Sequence, residues 1–382
     1  MTHTKLTGRD LTTGDGLQIK IQASGIHSMT PAKQSSDLWI SSGLVDLQVN
    51  GYAGLDLNGD DLSADGVSAL VRKLIQTGVT LFAPTLITAA EKDLLQRLRC
   101  IDEACRADPL SDACIAFIHM EGPHISAEEG FCGAHPPEHV RPPSLEEFDR
   151  WQAACNGRIG MVTLSPHYAG SEKYIAALAE RGVLVSLGHT HATPRQIESA
   201  VQAGARLSTH LGNGIATRID RHQNPIWSQL ANQLLTASFI ADGHHLPAEM
   251  LQAMIRAKGI ERSILVSDTV ALAGMPPGEY SAKIGGRVSL SKEGRLSIAG
   301  TSLLAGSAVP LLGCVERAVR MTGLPLADVL RMATEGPGRF AGGGVLRAGA
   351  RADILRFRWD DEAKTVEVYD VWVAGKPQYS MD

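Results

Sequence analysis

Four residues that could form a hydrolytic metal site stand at the ends of four separate apolar runs. Glu121, His189, His210 and Asp268 each close a short segment of the kind that forms a buried strand. One carboxylate and two imidazoles suit a catalytic zinc ion, which takes three protein ligands and keeps a fourth position for water. A later aspartate could accept the proton of the attacking water and pass it to a leaving amine. The pattern therefore predicts metal-assisted hydrolysis.

A structural interpretation competes with the catalytic one for each histidine taken alone. A single histidine at a strand end is more often a hydrogen-bonded structural residue than a metal ligand. The four residues together favour the catalytic interpretation, because active sites of barrel enzymes collect side chains from the carboxyl ends of several strands.

The elements that would position these residues alternate between strands and helices. Several runs are continuously apolar, which is typical of parallel strands buried on both faces. Eight such units in about 250 residues predict a (β/α)₈ barrel. The alternative, an open doubly wound sheet, is disfavoured because no GxGxxG motif follows the first run. The predicted strands are Leu44–Val49, Val79–Pro84, Cys114–His119, Ile159–Leu164, Val183–Leu187, Arg206–His210, Ser238–Ala241 and Ile264–Ser267, and the clearest helices are Leu62–Gln76, Ala90–Ala107, Pro194–Ala203, Pro247–Lys258 and Ala308–Thr322.

Both ends of the chain differ from this alternation, because they show β-like patterns without helices. Residues 1–42 and 344–382 are therefore predicted to form the two parts of one small β-sandwich, since chain termini often lie close together. Residues 43–343 form the predicted metal-dependent barrel. Glycines in residues 280–299 predict a hairpin insertion after the eighth strand.

Further polar residues follow other predicted strands and would face the same rim. His135 and His245 are candidates to hydrogen-bond a substrate oxygen or carbonyl. The stretch Gly212–Gly214, with Arg218 and Arg221 behind it, has the composition of an anion clamp. The alternative for the two arginines is a solvated surface loop.

Composition and charge exclude several classes of protein. The chain has 382 residues and a formal net charge of −5 at pH 7, which argues against a nucleic-acid partner. No apolar run approaches the length that spans a bilayer, so no membrane association is expected. The first ten residues lack the apolar region of a secretory signal, so we expect a cytoplasmic protein.

A set of short motifs, taken in order, resembles the N-acetylglucosamine-6-phosphate deacetylases of the amidohydrolase superfamily. Each motif is weak alone, but the set is specific and extends from Gly43 to about Ala341. The motifs are His119–His124, Gly133–His135, Thr163–Pro166, Ser186–His189, Ser208–Asn213, Ala241–His245 and Val266–Asp268.

The resemblance implies a (β/α)₈ barrel with a small β-sandwich, and hydrolysis of an acetamide to glucosamine 6-phosphate and acetate. It also implies a homodimer, because some phosphate contacts in the family come from the neighbouring subunit. The residues it assigns are Glu121, His189 and His210 for the metal, Asp268 for proton transfer, His135 and His245 for the substrate, and Asn213, Gly214 and Arg221 for the phosphate.

The expected metal content is one divalent ion per subunit, with zinc as the expected metal. Many amidohydrolases carry His-x-His at the end of the first strand and bind two metals, but this chain has Gln48 and Asn50 there. Neutral amides are poor transition-metal ligands beside imidazoles. The same Gln-x-Asn variant occurs in mononuclear members of the family.

The chain departs from the family pattern around the phosphate. Gly212 and Gly214-Ile215 flank Asn213, Arg221 is followed by His-Gln-Asn-Pro225, and His167 stands where the family tends to have Glu. The predicted metal and acid/base residues match the family pattern, while the residues predicted to bind the phosphate differ from it. Two alternatives therefore stay open, namely hydrolysis of a different N-acyl amino sugar, phosphorylated or not, and a non-catalytic barrel scaffold.

Overall fold

Eight parallel strands lie side by side in chain order at the centre of the molecule. The protein is described here by a computed structural model covering residues 4–33, 36–282, 286–301 and 303–381. The strands are β1 (Leu44–Val49), β2 (Val79–Ile87), β3 (Ile118–Glu121), β4 (Ile159–Leu164), β5 (Leu184–Leu187), β6 (Leu207–Ser208), β7 (Thr236–Ile240) and β8 (Ser263–Val266).

The sheet curls into a nearly closed barrel. The residues that follow β8 return to β1, where Thr269 forms a parallel bridge with Val49. The Asp268 backbone N–H also donates to the Gln48 carbonyl at 3.0 Å. The predicted (β/α)₈ class is confirmed, and the carboxyl ends of all eight strands meet at one rim.

The strand predicted at Cys114–His119 was misplaced. Asp108 caps a short helix at Pro109–Cys114, with its side chain accepting from the Leu110 N–H. The segment up to Cys114 is therefore helical, and β3 begins only at Ile118. The shift places Glu121 at the last position of its strand.

Helices follow the strands and cover the outside of the barrel. Pro194–Ala203 has the predicted bounds because Thr193 and Gln196 form a reciprocal capping box. The last predicted helix begins at Leu311 rather than Ala308, after Pro310 at its N-cap position. The described helices are Ala64–Ile75, Glu91–Ala107, Pro109–Cys114, Leu145–Ala154, Ser171–Glu180, Pro194–Ala203, Pro225–Ala231, Ala248–Lys258, Leu311–Thr322, Leu326–Ala333 and Glu335–Ala341.

The two chain ends pair into one seven-stranded, mostly antiparallel sheet. Ile354–Asp360 runs antiparallel to Trp39–Ser42 and so joins the ends to each other. The strands in spatial order are Lys376–Ser380, Thr365–Val373, Ile354–Asp360, Trp39–Ser42, Thr4–Asp10, Gly16–Gln22 and Gly25–Pro31. The predicted pairing of the termini is thus present, while the domain boundaries at 42/43 and 343/344 stay a prediction.

Extra strands extend the rim after β8 and β1. An antiparallel sheet of Gly278–Ala282, Gly286–Leu290 and Leu296–Ile298 stands where the hairpin insertion was predicted. Gly285, part of the predicted turn, lies outside the described residues. A smaller pair, Gly51–Tyr52 with Leu55–Asp56, lies after β1, and Tyr52 packs against the apolar core of the insertion. None of the described helices is long and apolar enough to cross a membrane.

Candidate active site

The four chemistry-bearing residues come from four different strand ends. Glu121 is the last residue of β3, while His189, His210 and Asp268 each lie two residues beyond β5, β6 and β8. Glu121, His189 and His210 are buried, and Asp268 keeps some exposure to solvent. The barrel therefore brings together residues up to 147 positions apart in the sequence, from Glu121 to Asp268.

Three of these residues have a left-handed backbone that non-glycine residues rarely adopt. The φ angles are +48° at His189, +30° at His210 and +51° at Asp268. Such conformations carry strain and are concentrated at functional sites, where the surrounding fold imposes them. Each left-handed residue lies two positions beyond the end of its strand, where the chain changes direction at the rim.

Glu121, His189 and His210 form a compact cluster of candidate metal ligands. Their ligand atoms lie within 4.8 Å of one another, and the described residues contain no second group of this kind. The His210 Nε2 lies 2.9 Å from the Glu121 Oε1, and the His189 Nε2 lies 3.6 Å from the same oxygen. One carboxylate and two imidazoles fit a divalent ion of the zinc type.

The His189 ring is held in the orientation that a metal ligand needs. Its Nδ1 lies 2.8 Å from the Phe131 carbonyl oxygen, so Nδ1 donates and Nε2 is left to face Glu121. Two glycines permit the close packing around this ring. A Cβ on Gly214 would lie 2.6 Å from the His189 Nδ1, and a Cβ on Gly133 would lie 3.0 Å from its Cε1.

The two amides after the first strand contact the carboxylates of the site. The Gln48 Nε2 donates to the Glu121 Oε1 at 2.8 Å, and the Asn50 Nδ2 donates to the Asp268 Oδ1 at 2.8 Å. Both side chains thus use their donor groups on acidic partners. Gln48 orients a predicted metal ligand and Asn50 orients the predicted acid/base.

The pKa values of the two carboxyl groups of the site are shifted in opposite directions. Burial alone would raise the pKa of Glu121, but interactions with the neighbouring His189 and His210 rings hold that pKa well below its usual value. Burial, reinforced by the charge of Glu121, raises the pKa of Asp268 to about 8. Pairs of carboxyl groups with pKa values shifted in opposite directions are a recurrent feature of acid/base sites.

His135 lies against the metal cluster and has a defined tautomer. Its ring centroid is 4.4 Å from that of His189. The Thr88 N–H donates to its Nδ1 at 3.4 Å, and the Thr88 Oγ1 lies 2.9 Å from the same atom. Burial and the neighbouring His189 lower the pKa of His135 to about 3, so the ring is neutral and its Nε2 carries the hydrogen.

His245 differs from His135 in the partner of its Nδ1, which is a carboxylate and not a donor. Its Nδ1 lies 2.7 Å from the Asp242 Oδ2, in the loop that follows β7. Its side chain keeps 12% exposure at the rim. The two predicted substrate histidines are therefore held by different partners, a threonine in one case and an aspartate in the other.

The predicted phosphate residues fall into two groups. Asn213 stays close to the site, with its Nδ2 donating to the His210 carbonyl oxygen at 3.2 Å. Gly214 packs on His189. Arg218 and Arg221 instead lie on an exposed stretch, and the Arg221 guanidinium has no ion-pair partner among the described residues. No hydrogen bond or ion pair links the Arg221 side chain to Glu121, His189 or His210 among the described residues.

A buried polar network below the site was missed in the sequence interpretation. His119 lies two residues before Glu121 in β3, with its Nε2 2.7 Å from the Thr163 Oγ1 and its Nδ1 3.3 Å from the Thr85 Oγ1. Burial lowers the pKa of His119 to about 4. The available signal was the i, i+2 spacing, which places His119 and Glu121 on the same side of one strand.

Comparison with known proteins identifies the family. The amidohydrolase family model matches residues 39–377, which is most of the chain. The chain belongs to the amidohydrolase family. It is 30% identical to the N-acetylgalactosamine-6-phosphate deacetylase of Escherichia coli O157:H7, over 98% of this chain and 99% of that one. It is 32% identical to the N-acetylglucosamine-6-phosphate deacetylase of Bos taurus, over 83% of this chain and 78% of that one.

A solved structure supports the same assignment. It shows a variant of the N-acetyl-D-glucosamine-6-phosphate deacetylase of Mycobacterium smegmatis in complex with N-acetyl-D-glucosamine-6-phosphate, and it superposes with a TM-score of 0.87. The two chains are 29% identical and each is covered in full. This chain is accordingly a hydrolase of a metal-dependent family, with a possible Glu/His metal site at its rim.

Proposed function

We propose that this protein removes the acetyl group from an N-acetyl amino sugar 6-phosphate, with N-acetylglucosamine 6-phosphate as the first candidate. The single observation that carries the proposal is the convergence of Glu121, His189, His210 and Asp268 at the rim of an amidohydrolase barrel. The products would be the free amino sugar 6-phosphate and acetate.

The relatives support two sugars rather than one. One is named for N-acetylgalactosamine 6-phosphate and others for N-acetylglucosamine 6-phosphate. The two sugars differ only in configuration at C4, so the same acetamide chemistry serves both. Departures around Asn213 and Arg221 concern the part of the site that would hold the phosphate, and they leave the hydrolytic residues intact.

The residues present fit a divalent metal. Glu121 and the Nε2 atoms of His189 and His210 would hold it, and the carbonyl contact of His189 is the outer hydrogen bond that metal-bound histidines usually have. When bound, the metal supplies Lewis acidity, which activates water and polarises the amide carbonyl. Zinc is the metal we propose, at one ion per subunit.

Asp268 would move the proton. It is held by Asn50 at 2.8 Å and lies near the cluster, where it would take a proton from the attacking water. It would then return that proton to the nitrogen of the leaving amine. His135, whose Nε2 is a donor, would hydrogen-bond the acetamide oxygen, where negative charge develops as water attacks.

The phosphate would be bound with help from a second subunit. Arg221 is exposed and makes no hydrogen bond or ion pair with the metal cluster among the described residues, so it would serve an anion in the site of the partner. Ile219 and Trp227 in the same segment are 36% and 55% exposed, an apolar surface of the kind that is buried on association. We therefore propose a homodimer with Arg221 near the interface.

A substrate panel tests the proposal. N-acetylglucosamine, N-acetylgalactosamine and N-acetylmannosamine, each with and without the 6-phosphate, would be assayed for acetate release by the metal-loaded protein. We expect turnover of a 6-phosphate and at least a hundredfold lower kcat/KM for its unphosphorylated form, the scale of two charge-assisted hydrogen bonds. Equal turnover with and without phosphate would contradict the phosphate assignment. Metal binding without turnover of any compound would contradict the activity.

A further inference from the structure

The Asp242 carboxylate makes three hydrogen bonds, and all three are to its own loop. Its Oδ1 accepts from the backbone N–H groups of His244 and His245, each at 2.9 Å. Its Oδ2 lies 2.7 Å from the His245 Nδ1. Asp242 is buried, and these bonds, foremost the one from His245, bring the pKa of Asp242 below its usual value against the effect of burial.

This geometry decides which ring nitrogen of His245 carries a hydrogen. A carboxylate can only accept hydrogen bonds, so the His245 Nδ1 must be the donor. In a neutral imidazole the other nitrogen then has a lone pair and no hydrogen. The His245 Nε2, which has no hydrogen-bond partner within the described part of the chain, is therefore an acceptor. This is the reverse of His135, whose Nε2 is a donor.

The loop itself is held by other contacts. The guanidinium of Arg317, on the helix Leu311–Thr322, donates to the Asp242 backbone carbonyl. It also donates to the Glu293 carbonyl at 2.6 Å, so it ties the loop to the inserted strands. The Arg317 contact uses the backbone of Asp242 and leaves its carboxylate to His245. Changing the carboxylate therefore changes the histidine without releasing the loop.

We propose that Asp242 is a positioning residue that makes His245 a hydrogen-bond acceptor toward the substrate. His245 would then select a donor on the sugar, which means a hydroxyl group rather than a carbonyl or phosphate oxygen. The inference rests on the proposed function for the identity of the ligand. The polarity of His245 is a property of the free protein and can be measured without any substrate.

The substitution Asp242→Asn should exchange the donor and acceptor nitrogens of His245 with little change in the shape of residue 242. The two backbone N–H groups keep the Asn oxygen in the place of Oδ1, which turns the Asn NH₂ toward the His245 Nδ1. A donor at that position requires Nδ1 to accept, so the hydrogen moves to Nε2. The variant therefore presents a donor where the wild type presents an acceptor.

Nitrogen-15 NMR of the histidine side chains measures this reversal. The experiment uses the full chain, at a pH where a titration of the signals shows the ring to be neutral, and His245→Asn assigns the signals. In the wild type we expect a pyrrole-type Nδ1 and a pyridine-type Nε2 at His245, and in Asp242→Asn the opposite. Arg317→Met is the control for a loosened loop, and it should keep the wild-type pattern. An unchanged pattern in Asp242→Asn would overturn the proposal.

Kinetics with the best 6-phosphate of the panel test the consequence for binding. We expect Asp242→Asn to raise KM about tenfold, the scale of one hydrogen bond of mismatched polarity, with kcat within about threefold of wild type. In the double variant with His245→Asn, Asp242→Asn should cause no further loss, because it acts through His245. Additive losses would overturn the positioning role. If no panel compound is turned over, the proposed function fails while the NMR result still decides the role of Asp242.

Discussion

At the scale of single residues, burial and hydrogen bonds act against each other on the protonation state of Asp268. Asn50 can only donate through its Nδ2, so its contact with Asp268 favours the ionised, accepting carboxylate. Burial and Glu121 act in the opposite direction and raise the pKa of Asp268 to about 8. A bound cation would favour the carboxylate again. Asp268 is thus balanced between its two states, which suits a group that first takes a proton and then returns it.

Replacing Asp268 by Asn tests this role. The amide has the same shape and can still accept from Asn50, but it cannot take a proton. We expect metal binding to be retained while kcat falls by roughly 10²–10⁴, the usual contribution of acid–base catalysis. Metal analysis and acetate release are the two measurements. A variant with near-normal kcat would show that another group moves the proton.

At the scale of elements, loops from different strands meet around the His189 ring. Gly214, in the loop after β6, has a φ of +58°, and a Cβ there would overlap the His189 Nδ1. Gly130, in the loop after β3, has equally little space, since its Cβ would lie 2.5 Å from the Ala216 Cα. These loops can pack together only because both positions lack side chains.

Gly214→Ala should therefore weaken metal binding rather than global stability alone. The added methyl group would push the His189 ring away from the position that its Phe131 contact defines, and we expect at least a tenfold loss of metal affinity, the lower end of the range for disturbed outer contacts. Competition with a chelator measures it.

Gly243→Ala is the matched control for that experiment. Gly243 lies at the same rim with a φ of +73°, but a Cβ there would have nothing within 4 Å. The control therefore shares the backbone strain and lacks the collision. Equal loss of metal affinity in both variants would attribute the effect to strain and not to His189.

At the scale of the whole molecule, a buried charge in the barrel links stability to pH. Burial raises the pKa of Asp46 to about 7, against the effect of hydrogen bonds from Ser267 and Gln48. In the unfolded chain Asp46 loses its proton near pH 4, so between about pH 4 and 7 the folded state holds the proton more tightly. Stability contributed by this group is present below that window and is lost as pH rises through it.

Asp46→Asn should remove this loss. In the presence of a chelator, we expect the free energy of unfolding of the variant to fall less than that of the wild type between pH 5 and pH 8, by on the order of a few kcal/mol. Asp268 remains in both proteins and keeps part of the slope, since its pKa is raised to about 8. Urea unfolding at the two pH values measures the difference. Parallel slopes would mean that Asp46 is solvated in the folded protein.

The quaternary proposal can be tested by mixing two impaired variants under conditions where each alone has little activity. Arg221→Ala should lower kcat/KM for the 6-phosphate by roughly 30- to 150-fold, equivalent to about 2–3 kcal/mol for a lost charge-assisted contact. If Arg221 serves the partner, its mixture with Asp268→Asn forms heterodimers with one complete site each. Equal mixing should restore about a quarter of wild-type activity. Light scattering would establish the dimer, and no gain on mixing would place Arg221 in its own subunit or outside the site.

The class of fold could be predicted from the sequence, and the candidate catalytic and metal-binding residues could be named from it. Apolar runs, capping residues and prolines act within a few positions, so most strands and the helix Pro194–Ala203 could be predicted from local pattern alone. Residue types limit the chemistry in the same local way, because only certain side chains bind metals or move protons. Where a local signal was overlooked, as with the Asp108 cap, the strand before Glu121 was misplaced.

The way in which those residues meet could be read only from the folded chain. His and Asp adopt a left-handed backbone more often than most non-glycine residues, but packing at the rim decides that His189, His210 and Asp268 do so here. Hydrogen-bond polarity likewise depends on partners distant in sequence, such as Thr88 for His135, 47 positions away. Contacts of this kind form only when segments distant in sequence come together in the folded molecule. Local propensity acts over a few residues and cannot encode them.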